Sequence, residues 1–225
     1  MVTASSERVA DRRGRRSPRP IPHLHILVDA GAARRLDLLV SLADLGGPSL
    51  ALQLRAPDLA GGALYHLGHA IRAGLPPSTA LFVNDRVDVA LGVAASGVHL
   101  KETSLDPASA RRIAGPELVI GRSVHTLDGV RHWSTPDVDY LVVGSLHPTP
   151  SHPGGDPLAS EVAERAPQVA HVPLLAIGGV APRNLARVLE LGYYGAVVAS
   201  GIWAAADPLR ALSAYLQVLS QHRSA

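Results

Sequence analysis

The chain has no cysteine, one lysine, one phenylalanine, one methionine and two tryptophans among its 225 residues. Without cysteine there is no disulfide framework, no thiolate metal site and no cysteine nucleophile. With Lys101 as the single lysine, any imine chemistry would rest on that one side chain, because an arginine stays protonated. Aromatics make up only 4% of the chain, too few for the interleaved stacking platforms of single-stranded nucleic-acid binding. No apolar run is long enough to cross a bilayer. These absences point to a cytoplasmic protein that binds neither membrane nor nucleic acid.

What is present is a core. Hydrophobic residues account for 47% of the chain and the formal charge is +2, a composition that folds. Arg8, Arg12, Arg13, Arg15, Arg16 and Arg19 crowd the first twenty residues, which lack the apolar centre of a secretory signal. We read 1–20 as a disordered Arg-rich tail and 21–225 as the folded domain.

From His23 onward, short apolar β-rich runs alternate with longer amphipathic ones. Strands are expected at His23–Asp29, Ser49–Arg55, Ala80–Asn84, Gly97–Leu100, Val119–Ser123, Tyr140–Gly144, Leu174–Ile177 and Ala196–Ala199. Their continuous apolar character fits strands covered on both faces. Helices are expected at Arg34–Leu45, at Leu59–Ala73 behind an Asp58 cap, at Ala108–Ala114 behind Asp106-Pro107, from Pro182 to Leu191, and after Asp207-Pro208. Eight βα alternations, with no GxGxxG turn near the first strand, predict a single (β/α)8 TIM barrel over an open doubly wound sheet.

In such a barrel the chemistry sits where strands end. Ala176–Gly179 (AIGG) and Ala199–Gly201 (ASG) follow strands seven and eight. Gly178, Gly179, Ser200 and Gly201 there would offer backbone N–H groups to a phosphate, glycine allowing close approach; tight turning alone is the competing explanation. Gln53 and Arg55 share a strand face with Ala51 and would point inward, Arg55 seeking an anion or pairing with Asp29 or Asp85. Asn84 and Asp85 close strand three, where Asp85 can cap a helix, bind a metal or accept a proton. Ser123 ends strand five. His125, two residues on, is the expected proton-transfer group, with Asp85, His99 or His152 as a second. The Pro- and Gly-rich stretch Gly144–Pro157 is a lid or an ordinary surface loop.

The segments QLR, VNDRVDVAL, GVHL, GRSVHT, DYLVVGSLHPT, LLAIGGV and GAVVASGIW, in one unbroken order from Leu24 to Leu212, resemble the thiamine phosphate synthase superfamily. The resemblance implies one of two activities, and the possibility of a homodimer. A synthase joins a pyrimidine pyrophosphate to a thiazole phosphate with magnesium. A thiazole tautomerase aromatises a 2-carboxy-thiazolylidene ethyl phosphate without metal. The synthase pattern has lysines after QLR and after PTxT, where this chain has Ala56-Pro57 and His152, and an aspartate where it has Ser104. A pyrophosphate leaving group needs that charge neutralised. GRSVH and ASGIW resemble the tautomerase form, whereas Asp85 leans towards the synthase. The expectation is therefore a tautomerase with no cofactor and no metal. His125 would move the proton, Arg55 would hold the carboxylate and Gln53, Asn84 and Ser123 would line the ring pocket. A divergent synthase and a non-catalytic thiazole or thiamine phosphate binder are the alternatives.

Overall fold

The structure is a computed structural model that describes residues 21–148 and 158–224. Eight parallel strands close into a barrel in sequence order: β1 Leu24–Val28, β2 Leu50–Leu54, β3 Ala80–Asn84, β4 Gly97–Leu100, β5 Val119–Val124, β6 Tyr140–Gly144, β7 Leu174–Ile177 and β8 Gly195–Val198. The last pairing, Leu24 opposite Ala196, closes the ring. The helices are α1 Leu36–Gly46, α2 Gly61–Gly74, α3 Val87–Gly92, α4 Pro107–Ala114, α5 Leu127–Trp133, α6 Ser160–Val169, α7 Pro182–Glu190, α8 Ser200–Trp203 and α9 Pro208–Ser224. The predicted (β/α)8 barrel is the fold observed. The tail at 1–20 lies outside the described residues.

Each strand buries both faces. Residues such as Leu24, Ile26, Leu50, Leu52, Val98 and Ile120 pack outward against the helices. Ala51, Phe82, Val119, Tyr140, Val142, Leu175 and Val197 fill the barrel. Large and small side chains alternate there. A Cβ at Gly121 would overlap the Tyr140 ring, so the glycine leaves room for that ring inside the barrel.

Helix starts differ in cause. Asp106 caps α4 by accepting from Ser109 N at 3.0 Å, and Asp207 accepts from Arg210 N at 3.0 Å ahead of α9. Asp58 does not cap α2: that helix begins later, behind Ala60, whose side chain cannot cap. The short helices α3, α5 and α6 had no expected bounds. Their tertiary packing carries them, since six to ten residues give little helix by propensity alone. Among the described residues no helix is long and apolar enough to cross a membrane.

Candidate active site

The strand periodicity carries polar side chains up the inside of the barrel to its C-terminal mouth, and they arrive as two relays. In the first, His25 Nδ1 lies 3.3 Å from Gln53 Oε1, and Gln53 Nε2 donates to Asn84 Oδ1 at 2.7 Å. Gln53 Oε1 only accepts, so His25 carries its proton on Nδ1. That leaves the Asn84 amide N–H groups to face the mouth. His25 Nε2 is a buried acceptor with no partner among the described residues.

The second relay runs from Tyr140 Oη to His99 Nδ1 at 3.2 Å and from His99 Nε2 to Ser123 Oγ at 2.9 Å. Tyr140 is fully buried, and an unmade buried O–H is costly, so its hydroxyl donates to Nδ1. Then His99 Nε2–H donates to Ser123, whose own hydroxyl proton is left to point into the mouth. Burial, and for His99 also the neighbouring His25, lowers the His25 pKa to about 4 and the His99 pKa to about 3. Both rings are therefore neutral near pH 7, which disfavours His99 as the second proton-transfer group.

Asp85 is not a helix cap. The N-cap of α3 is Arg86, and Asp85 adopts a left-handed φ of 62° that turns its carboxylate towards the loop after β4. There Oδ2 lies 2.9 Å from Lys101 Nζ, and Oδ1 accepts from Lys101 N at 2.9 Å and from the Ser104 hydroxyl. Burial pushes the Asp85 pKa up, but the Ser104 and Lys101 contacts outweigh it and the net shift is downward.

His125 stands on the rim, its side chain 51% exposed, with Nδ1 2.9 Å from Glu102 Oε2. Arg55 is exposed and pairs with neither expected carboxylate: Asp29 accepts from Ala32 N at 2.8 Å, and Asp85 is taken by Lys101. After β7, Gly178 and Gly179 adopt φ of 93° and 62°, a left-handed turn that only glycine makes freely. A Cβ on Gly179 would also lie 2.6 Å from His147 Cβ. Ser200 and Gly201 open α8, where first-turn N–H groups lack helical partners. Gly201 has a second reason to be glycine, because a side chain there would strike the Tyr215 hydroxyl. His152 and the lysine-deficient stretch 149–157 lie outside the described residues.

The sequence reading missed His25, Tyr140 and Glu102. His25 and Tyr140 were legible as inward positions by the period of two; Glu102 sits on a loop and had no such signal. A cavity of about 420 Å³ lies at the opposite end of the barrel, beside His23, Tyr194 and Leu219. The convergent polar groups lie at the mouth instead, where this fold places its chemistry.

A parallel eight-stranded barrel with glycine turns after β7 and a helix start after β8 has the arrangement in which (β/α)8 barrels commonly hold a phosphate. The sequence profile of the thiamine monophosphate synthase family matches residues 25–202, and the chain belongs to that family. It is 34% identical over 216 residues to the thiamine-phosphate synthase of Roseiflexus castenholzii, covering 91% of this chain and 93% of that one. It is 36% identical over 181 residues to the thiamine-phosphate synthase of Moorella thermoacetica, covering 80% and 86%. A thiamine phosphate pyrophosphorylase from Pyrococcus furiosus superposes with a TM-score of 0.77 at 30% identity, covering 88% of this chain and 96% of that one.

Proposed function

We propose that this family member aromatises a 2-carboxy-thiazolylidene ethyl phosphate to the thiazole phosphate carboxylate by proton transfer at the barrel mouth. The observation that carries the reading is the His125–Glu102 pair. A carboxylate 2.9 Å from Nδ1 holds the proton on that nitrogen and leaves Nε2 as the base, the arrangement an imidazole needs to take a proton from carbon. The ring nitrogen or carboxylate of the ligand would meet the donors of Asn84 and Ser123. Arg55 would hold the carboxylate, and the backbone at Gly178, Gly179, Ser200 and Gly201 would hold the phosphate. His125 would return the proton at the exocyclic carbon, and aromaticity drives the reaction forward.

The names of the relatives favour the second reading, a divergent thiamine-phosphate synthase, over the tautomerase. One feature of the site agrees with them: Lys101 brings an ammonium to the mouth that can meet a pyrophosphate. The residues do not fit the magnesium that a synthase uses. The mouth offers Asp85, already paired with Lys101 and Ser104, and Ser104 replaces the second carboxylate. Magnesium is ordinarily held by one or two carboxylates together with substrate phosphates, and the aspartate placed for it is already engaged by Lys101 and Ser104.

The two readings separate in one assay. The carboxylated thiazole tautomer is offered with EDTA, and its aromatisation is followed by ultraviolet absorbance. In parallel, pyrimidine pyrophosphate, thiazole phosphate and magnesium are offered and pyrophosphate is measured. Aromatisation that survives EDTA supports the tautomerase. Pyrophosphate release without aromatisation gives the synthase. Binding of either phosphate with no turnover leaves a binding protein.

A further inference from the structure

Arg122 is a buried arginine, 3% exposed, with no acidic side chain within ion-pair distance among the described residues. It points outward from β5, and its guanidinium lies 3.9 Å above the Trp133 ring of α5. Nη2 donates to Glu102 O at 2.7 Å and Nη1 to Leu105 O at 3.2 Å, while Nε is buried without a partner among the described residues. Burying a cation whose direct contacts are carbonyls and a ring is costly, even with the Glu102 and Asp106 carboxylates at longer range, and an apolar residue there would pack against Trp133 without that cost. The guanidinium is spent on the loop joining β4 to α4, which carries Lys101, Glu102 and Ser104. All three reach the mouth. Lys101 and Ser104 engage Asp85, and Glu102 engages His125. One strand therefore sets both ends of the proton-transfer pair, since β5 presents Ser123 inward and leads to His125 while Arg122 reaches outward to the backbone of Glu102.

We propose that Arg122 is a positioning residue that, through the carbonyls of Glu102 and Leu105, fixes the loop after β4 so that Glu102 holds the Nδ1–H tautomer of His125. The catalytic consequence rests on the proton-transfer reading above; the geometric one does not. A fork with two donors spans two carbonyls, which a lysine ammonium cannot do with the same geometry. A half-exposed glutamate on an unanchored loop would sample many rotamers, and its hold on His125 would loosen.

The test is long-range ¹H–¹⁵N NMR of the imidazoles in the full chain at a pH where they are neutral, with His125 assigned through His125→Asn. The wild-type ring is expected as the Nδ1–H tautomer. Glu102→Ala and Arg122→Met should both shift it towards the Nε2–H form, and the melting temperature shows whether each variant is folded. If Arg122→Met does not fold, Arg122→Lys is scored in its place. A folded Arg122 variant that keeps the Nδ1–H tautomer overturns the proposal, as does a Glu102→Ala variant that leaves the tautomer unchanged. On the carboxylated thiazole substrate, both variants should lose kcat alike, by up to about a hundredfold for a misplaced group, with KM little changed. A change in KM alone would make Arg122 part of substrate binding instead. If the wild type does not turn over that substrate, the functional reading fails and the NMR result still decides the role of Arg122.

Discussion

Lys101 and Asp85 form an ion pair of 2.9 Å at the mouth of the barrel, and the pair uses the chain's one lysine on a carboxylate that a metal would otherwise claim. The same loop residues that neutralise Asp85 also present Glu102 to His125. On the proton-transfer reading proposed above, the following outcomes are expected.

Replacing His125 with asparagine keeps a polar side chain but removes an imidazole that can accept and return a proton. The rate of aromatisation should fall by about two orders of magnitude or more, within the usual worth of a general acid–base group. Product binding, measured by calorimetry, should change little, because Arg55 and the glycine turns remain. Near-normal turnover would remove His125 from the mechanism.

Gly179→Ala puts a side chain into a left-handed turn and against His147. Binding of thiazole phosphate should weaken markedly, whereas the dephosphorylated thiazole should lose much less. A equal loss for both ligands would mean that the turn matters to folding and does not contact phosphate. The melting temperature of the variant separates the two effects.

Arg55 is exposed on the rim and has no side-chain partner among the described residues. Arg55→Ala should therefore weaken the carboxylated thiazole more than its decarboxylated analogue. A hydrogen bond to a charged group is worth about 1.5–3 kcal/mol, so the difference should be roughly tenfold or more. Equal weakening would assign Arg55 to the phosphate.

Stability should show an acid limb. His25 and His99 are buried neutral, with pKa values lowered from 6.5 to about 4 and about 3. As pH falls below 6.5 the unfolded chain takes up protons on these rings and the folded chain does not. Stability is therefore full above 6.5 and is lost as pH falls towards 4, by about 1.4 kcal/mol per pH unit for each fully neutral ring. His25→Phe removes one of the two contributions, so its urea midpoint should fall less steeply between pH 6.5 and 4.5. Equal steepness in both proteins would show that His25 is not held neutral in the fold.

Most of the barrel was readable along the chain because strand burial is a local matter. Apolar runs such as Ala80–Asn84, Tyr140–Gly144 and Leu174–Ile177 end where turns or caps stop them, and their observed bounds match. Errors came where local signals competed: Asp58 looks like a cap, yet the helix after it starts at Gly61, and Asp85 looks like a cap, yet its carboxylate turns to Lys101. For Asp85 the short-range preference is overridden by partners that lie across space.

The closed parallel barrel, the inward side chains of Ala51 and Gln53, the glycine turns after β7 and the scarcity of lysine were legible along the chain, whereas Arg55, expected on the same inward face, is exposed. Periodicity and composition act over a few residues, so one dimension suffices for them. Folding in three dimensions was needed to bond His99 to Ser123 and Tyr140, to give Asp85 to Lys101 and Ser104, and to set Glu102 between His125 and Arg122. These partners lie 16 to 41 residues apart, and the side-by-side pairing of β3, β4, β5 and β6, not the neighbouring sequence, brings them within hydrogen-bond reach.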